Sequence, residues 1–86
     1  MFVILTYDVN SKRVSKALKI CRKYLSHVQK SVFEGCLTEA KLKKLQYELQ
    51  KVLVPEEDSV CVYRMDSAKY ARKEQIGKVA ERSHII

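Results

Sequence analysis

The chain opens on an apolar run, Phe2-Val3-Ile4-Leu5-Thr6-Tyr7, that stops on a single carboxylate, Asp8. Apolar and β-branched residues closed by an acid, an Asn and a Ser predict a strand that delivers Asp8 to its carboxyl end. Asn10 or Ser11 can cap a following helix, in which Val14, Ala17, Leu18, Cys21 and Leu25 fall on one stripe at three- and four-residue spacing. From His27 to Leu37 helical periodicity is lost. Two extended segments are predicted there, with a bend or bulge near Glu34-Gly35, the alternative being one strand that continues through Gly35. Thr38 offers a second cap with Glu39 in the first turn, and Leu42, Leu45, Leu49, Val52 and Leu53 define a second amphipathic helix that Pro55 ends. The acidic loop Pro55-Glu56-Glu57-Asp58 leads into a strand from Ser59 to Met65, expected beside the first. Asp66 to Gly77 reads as a loop or short helix, and 78–86, with Val79, Ile85 and Ile86, as a short terminal strand that adds to a sheet edge.

This order, β-α-β-β-α-β with an added C-terminal strand, predicts an α+β domain of the ferredoxin-like arrangement spanning 1–86. Two helices cover one sheet face. In the first strand Val3, Leu5 and Tyr7 point one way and Phe2, Ile4 and Thr6 the other, so both faces are largely apolar. Val60 and Val62, opposite Cys61, Tyr63 and Met65, repeat the pattern. A core drawn from 86 residues is small, and the uncovered face predicts a face-to-face homodimer.

Charge then narrows the class of partner. Seventeen Lys and Arg stand against ten Asp and Glu, a net charge of +7, which points to nucleic acid or another polyanion. No acid occurs from Val9 through Phe33, whereas Lys12, Lys16, Lys19 and Lys23 form a basic row on the solvent side of the first helix, with Arg13 beside it. A solvated helix face is the plainer account of that row. Cys21, Cys36 and Cys61 have neither C-x-x-C pairing nor a His at zinc spacing, and are expected as small buried hydrophobes in a reducing cytoplasm. No stretch has signal-peptide or membrane-spanning character, so a soluble cytoplasmic protein is expected. Nucleotide-binding glycine loops and the nucleophile elbow are absent, His27 and His84 are isolated, and Phe33 and Tyr63 are assigned to packing because no RNA-stacking motif surrounds them.

Asp8 is the residue on which chemistry can be built. Asp at a strand-to-helix junction also serves as a turn or helix-start residue. Hard cations such as Mg²⁺ take carboxylate and water oxygens, and phosphodiester cleavage commonly uses more than one carboxylate. This strand supplies one. A two-fold axis near the end of the first strand would bring two copies of Asp8 together and create a shared metal site.

The strand ending in Tyr7-Asp8, the basic helix, and Gln29-Lys30-Ser31-Val32-Phe33-Glu34-Gly35 at this distance resemble the small CRISPR-associated adaptation proteins of the Cas-two family over nearly the whole chain. The resemblance implies a ferredoxin-like homodimer whose C-terminal strand crosses to the partner's sheet, with Mg²⁺ held by Asp8 of both subunits. It implies metal-dependent endonuclease activity on single-stranded RNA or double-stranded DNA, and membership of a spacer-acquisition complex with an integrase subunit and duplex DNA. Tyr7 and Asp8 match the family's strand-end motif, Ser31 and Phe33 its second motif, and Arg13 lies near a functional arginine, an alignment that Lys12 leaves ambiguous. Two readings follow. In one, Asp8 holds metal, Tyr7 and Phe33 shape the site, and Arg13 with the basic row holds phosphates. In the other, the dimer is a DNA-bridging scaffold in which Lys12, Lys16, Lys19, Lys23, Arg72 and Lys73 neutralise a duplex backbone and Asp8 is dispensable. An RNA-binding module or ribonuclease toxin of similar topology is the third.

Overall fold

The structure is a computed structural model and describes residues 1–65. The segment 66–77 and the terminal strand expected at 78–86 lie outside the described residues. The elements follow the predicted order: β1 (Phe2–Asp8), α1 (Val14–Tyr24), β2 (Ser26–Gln29), β3 (Val32–Cys36), α2 (Glu39–Val52) and β4 (Ser59–Met65). They build a four-stranded antiparallel sheet in the order β2-β3-β1-β4, the ferredoxin-like arrangement.

β1 is interior and pairs along its length, with Leu5 opposite Phe33 on one side and Val62 on the other. Period-two alternation sends Val3, Leu5 and Tyr7 into the helix-covered face, where they are buried. They meet Ala17 and Cys21 of α1, Leu42, Leu45 and Leu49 of α2, and Phe33 of β3. Phe2, Ile4 and Thr6 remain half-buried on the opposite face beside Cys61, Tyr63 and Met65 of β4.

Four local expectations are corrected. The chain turns at Lys30-Ser31, and β3 runs straight through Gly35. Gly35 faces α1, where a Cβ would stand 3.1 Å from Leu25 Cδ2, so the missing side chain admits the end of the helix. The irregularity in pairing falls on β2, between His27 and Gln29. Neither Asn10 nor Ser11 is the N-cap of α1: that position is Arg13, and Asn10 Oδ1 instead accepts the Lys12 amide in the preceding turn at 2.9 Å. Cys21 is buried, but Cys36 and Cys61 are exposed. Tyr63 is 53% exposed, on the sheet face that no described element covers, and so is not a packing residue. By contrast Thr38 caps α2 as expected, its Oγ1 accepting the Lys41 amide at 3.1 Å.

Candidate functional site

Asp8 closes β1 and is exposed, held at the sheet end by pairing with Ser59 of β4. On the other side of β1 the Tyr7 amide donates to the Ser31 carbonyl at 3.1 Å. Tyr7, Asp8 and Ser31 thus share one end of the sheet, and Ser31 belongs to the β2–β3 turn. That turn is braced from within. His27 stacks on Phe33 with centroids 4.6 Å apart, its Nε2 donates to the Lys30 carbonyl at 3.0 Å, and its Nδ1 lies 3.5 Å from Arg22 Nη2.

Beneath Asp8, Tyr7 is buried with its ring 5.6 Å from that of Phe33. Burial raises the Tyr7 phenol above its usual range, the Cys21 sulfur adds to the rise, and the Arg22 guanidinium opposes it. The phenol therefore stays protonated at neutral pH. Phe33 is 0% exposed, so it offers no face to a base.

Arg13 is engaged elsewhere. Its Nε donates to Asp58 Oδ2 at 2.7 Å, and its Nη2 donates to Asp58 Oδ1 at 3.1 Å and to Glu57 Oε1 at 2.7 Å. The Asp58 side chain is 0% exposed and also accepts the Asn10 and Val54 amides, each at 2.8 Å. This carboxylate ties the loop after Asp8 to the loop that precedes β4. Hydrogen bonds from Arg13 hold the Asp58 carboxyl well below the usual carboxylate range; burial opposes them, and the Asn10 and Val54 amides reinforce them. Reciprocally, Asp58 first and Glu57 second hold the Arg13 guanidinium in its charged form. Asp58 escaped the sequence reading because its partner lies 45 residues away and the local pattern marks only an acidic loop.

Of the basic row, Lys12, Lys16 and Lys19 are exposed, Lys12 in the turn ahead of α1. Lys23 is bound to Glu48 of α2, which also accepts the Tyr24 hydroxyl. A groove of about 270 Å³ between α2 and β4 is lined by Gln46, Leu49, Gln50, Val60 and Val62, none of which can transfer a proton or bind a cation strongly. Among the described residues no group of three or more His, Cys, Asp or Glu side chains converges to hold a metal. The Asp8 carboxylate is a hard oxygen donor of the kind magnesium takes, and by itself it would leave most of a coordination shell to be filled by water or a second chain. Among the described residues, no helix is long and apolar enough to cross a membrane.

Comparison with known proteins places this geometry. The profile of the family described as CRISPR associated protein Cas2 matches residues 1–73. A CRISPR-associated endoribonuclease Cas2 from Thermotoga maritima is 52% identical over 77 residues, covering 90% of this chain and 88% of its own. One of the same description from Dictyoglomus turgidum is 46% identical over the same shares. The crystal structure of Streptococcus pyogenes Cas2 superposes with a TM-score of 0.77 at 32% identity, covering 90% of this chain and all of that one. Sequence and fold agree over the strand that ends on Asp8, and the chain belongs to the family of CRISPR-associated Cas2 proteins.

Proposed function

We propose that this protein is a metal-dependent endonuclease that cleaves RNA or DNA as a homodimer, with Asp8 of each chain at a shared Mg²⁺ site. The observation that carries the reading is the exposed Asp8 carboxylate at the end of a strand paired on both sides. Such a carboxylate is solvent-accessible yet fixed in position. The names of the Thermotoga and Dictyoglomus relatives, both endoribonucleases, support the activity.

A second chain is required by the chemistry and invited by the sheet. Of the acids in the loop that precedes β4, Glu57 and Asp58 are committed to Arg13. The sheet face that no described element covers carries Phe2, Ile4, Thr6 and Tyr63, an apolar surface suited to a second copy. Mg²⁺ bound there would supply Lewis-acid stabilisation of the charge that develops on the scissile phosphate. Tyr7 and Phe33 fix the strand end from below, Ser31 anchors its neighbour through the backbone, and Lys12, Lys16 and Lys19 draw the phosphate backbone toward it. Arg13 serves through Asp58, by holding the loop that leaves Asp8.

The second reading is a non-catalytic scaffold that bridges duplex DNA within a spacer-acquisition complex containing an integrase subunit. It is favoured by the lone carboxylate, Asp8, that β1 delivers to the sheet end beside an exposed basic row. Cleavage of labelled single-stranded RNA and double-stranded DNA, with and without Mg²⁺, separates the two readings. Cleavage that requires both Mg²⁺ and Asp8 is expected. If a folded, dimeric Asp8→Ala protein cleaves as the parent does, or neither cleaves while both bind duplex, the scaffold is the better account.

A further inference from the structure

Besides the row on α1, the helical layer carries a second basic surface, on α2. Leu42, Leu45 and Leu49 fix the buried side of this helix. Lys43, Tyr47 and Lys51, four residues apart, line the opposite side with Lys44 adjoining, and all are exposed. Tyr47 is 58% exposed, an unusual position for a large aromatic, and Lys51 Nζ lies over its ring, 4.8 Å from the centroid. The two acids of α2 lie off this arc and are already neutralised. Glu39 takes Arg64 Nη1 on both carboxylate oxygens, at 2.9 and 2.7 Å, and Glu48 takes Lys23 and Tyr24. The outer face of α2 is therefore cationic with a flat aromatic at its centre.

From this arrangement we infer that the outer face of α2 binds single-stranded nucleic acid, with Lys43, Lys44 and Lys51 on phosphates and a base stacked on Tyr47. Three lysines on the same helix face as one exposed ring, Lys51 over the ring itself, match the alternation of charge and π-face along a single strand. A duplex keeps its bases stacked inside and would use the lysines but not the ring. In a dimer joined through the open sheet faces this surface points outward on both subunits, so the strand can reach it. The inference rests on the reading that the protein acts on nucleic acid, but not on Asp8 chemistry.

The test is binding of a labelled twelve-nucleotide single-stranded RNA, and of a duplex of equal length, to the full chain in chelator. Affinity is measured from low to moderate salt for the parent, Tyr47→Ala and Lys43→Gln/Lys44→Gln/Lys51→Gln, each shown to be folded by circular dichroism. Losing three phosphate contacts lowers the slope of log affinity against log salt by about 2 for a single strand, at roughly 0.7 per contact. Tyr47→Ala is expected to weaken the single strand about tenfold, in line with the loss of one stacked base, and to leave the duplex unchanged. An unchanged slope in the triple variant overturns the inference, and so does a Tyr47→Ala protein that binds the single strand as the parent does. Because no cleavage occurs in chelator, these outcomes stay readable even if the nuclease reading fails.

Discussion

Phe33 is the residue for which a mutation would most easily be misread. Its match to a family motif places it with the site, so lost cleavage in Phe33→Ala would be taken for a catalytic effect. The structure assigns the loss to folding. Phe33 is 0% exposed on β3, pairs with Leu5, and is packed by the rings of His27 at 4.6 Å and Tyr7 at 5.6 Å. Truncating a buried Phe to Ala costs about 3–5 kcal/mol, including the cavity it leaves. A domain of 86 residues is stable by about 4–13 kcal/mol in total, so the variant approaches the edge of folding. Phe33→Leu keeps most of the volume and loses the ring contacts, at about 1–2 kcal/mol. Urea denaturation at fixed chain concentration measures both, because association would otherwise move the midpoint. With a slope near ~1 kcal/mol/M, the midpoint falls by about 3 M or more for Ala and by about 1–2 M for Leu. An Ala variant with the parent's midpoint would refute the packing argument and return Phe33 to direct substrate contact.

The Arg13–Asp58 pair predicts non-additivity: Arg13→Gln and Asp58→Asn each lower the thermal midpoint, and the double variant lowers it by less than the sum. Simple addition of the two shifts would show that the groups act independently. Acid provides a second test, because the Asp58 carboxyl is depressed in the fold while an unfolded Asp titrates near ~3.9. The stability it contributes is complete above that unfolded value and drains away as pH falls toward the lower folded one. The gap between parent and Asp58→Asn should therefore be full at neutral pH and close in acid, and a gap constant down to pH ~2.5 contradicts it. Burial pushes the Cys21 thiol up to about 12, so iodoacetamide should spare it until the chain unfolds. Cys61, exposed on the sheet face that no described element covers, should react readily in dilute protein and more slowly as concentration rises if that face joins two copies. Concentration-independent labelling of Cys61 would place the dimer contact elsewhere. Finally, Arg64→Gln, which among the described residues breaks a solvent-exposed pair with Glu39, should shift the midpoint by no more than a degree or two, and a larger drop would reveal a contact beyond that pair.

Elements whose signals are local were legible in the sequence. The run from Phe2 to Asp8, the Thr38 cap and the alternation from Ser59 to Met65 each act within a few residues, and the structure has them as expected. Gly35 misled because glycine has two uses: here it makes room for Leu25, and the turn falls on Lys30-Ser31, which contains neither Gly nor Pro. Cys61 and Tyr63 misled because alternation separates two faces of a strand without saying which one the helices cover. The clamp between the loop after Asp8 and the loop before β4 was invisible for a different reason. Arg13 and Asp58 stand 45 residues apart, so only the fold brings them together, and a basic residue near a basic row reads naturally as a phosphate ligand.

The interior place of β1 also sets the order in which the site can come into being. Asp8 precedes in sequence both strands that flank its own, so one flank must wait for Val32–Cys36 and the other for Ser59–Met65. Pairings of such long sequence separation form late in folding, since the loop between them must close before any contact rewards it. A nascent chain that has emerged only through α2 would therefore carry Asp8 on an unfinished sheet edge, still lacking Asp58 and Ser59. The carboxylate becomes fixed only once β4 has docked, so a stalled or truncated chain has the acid without the geometry.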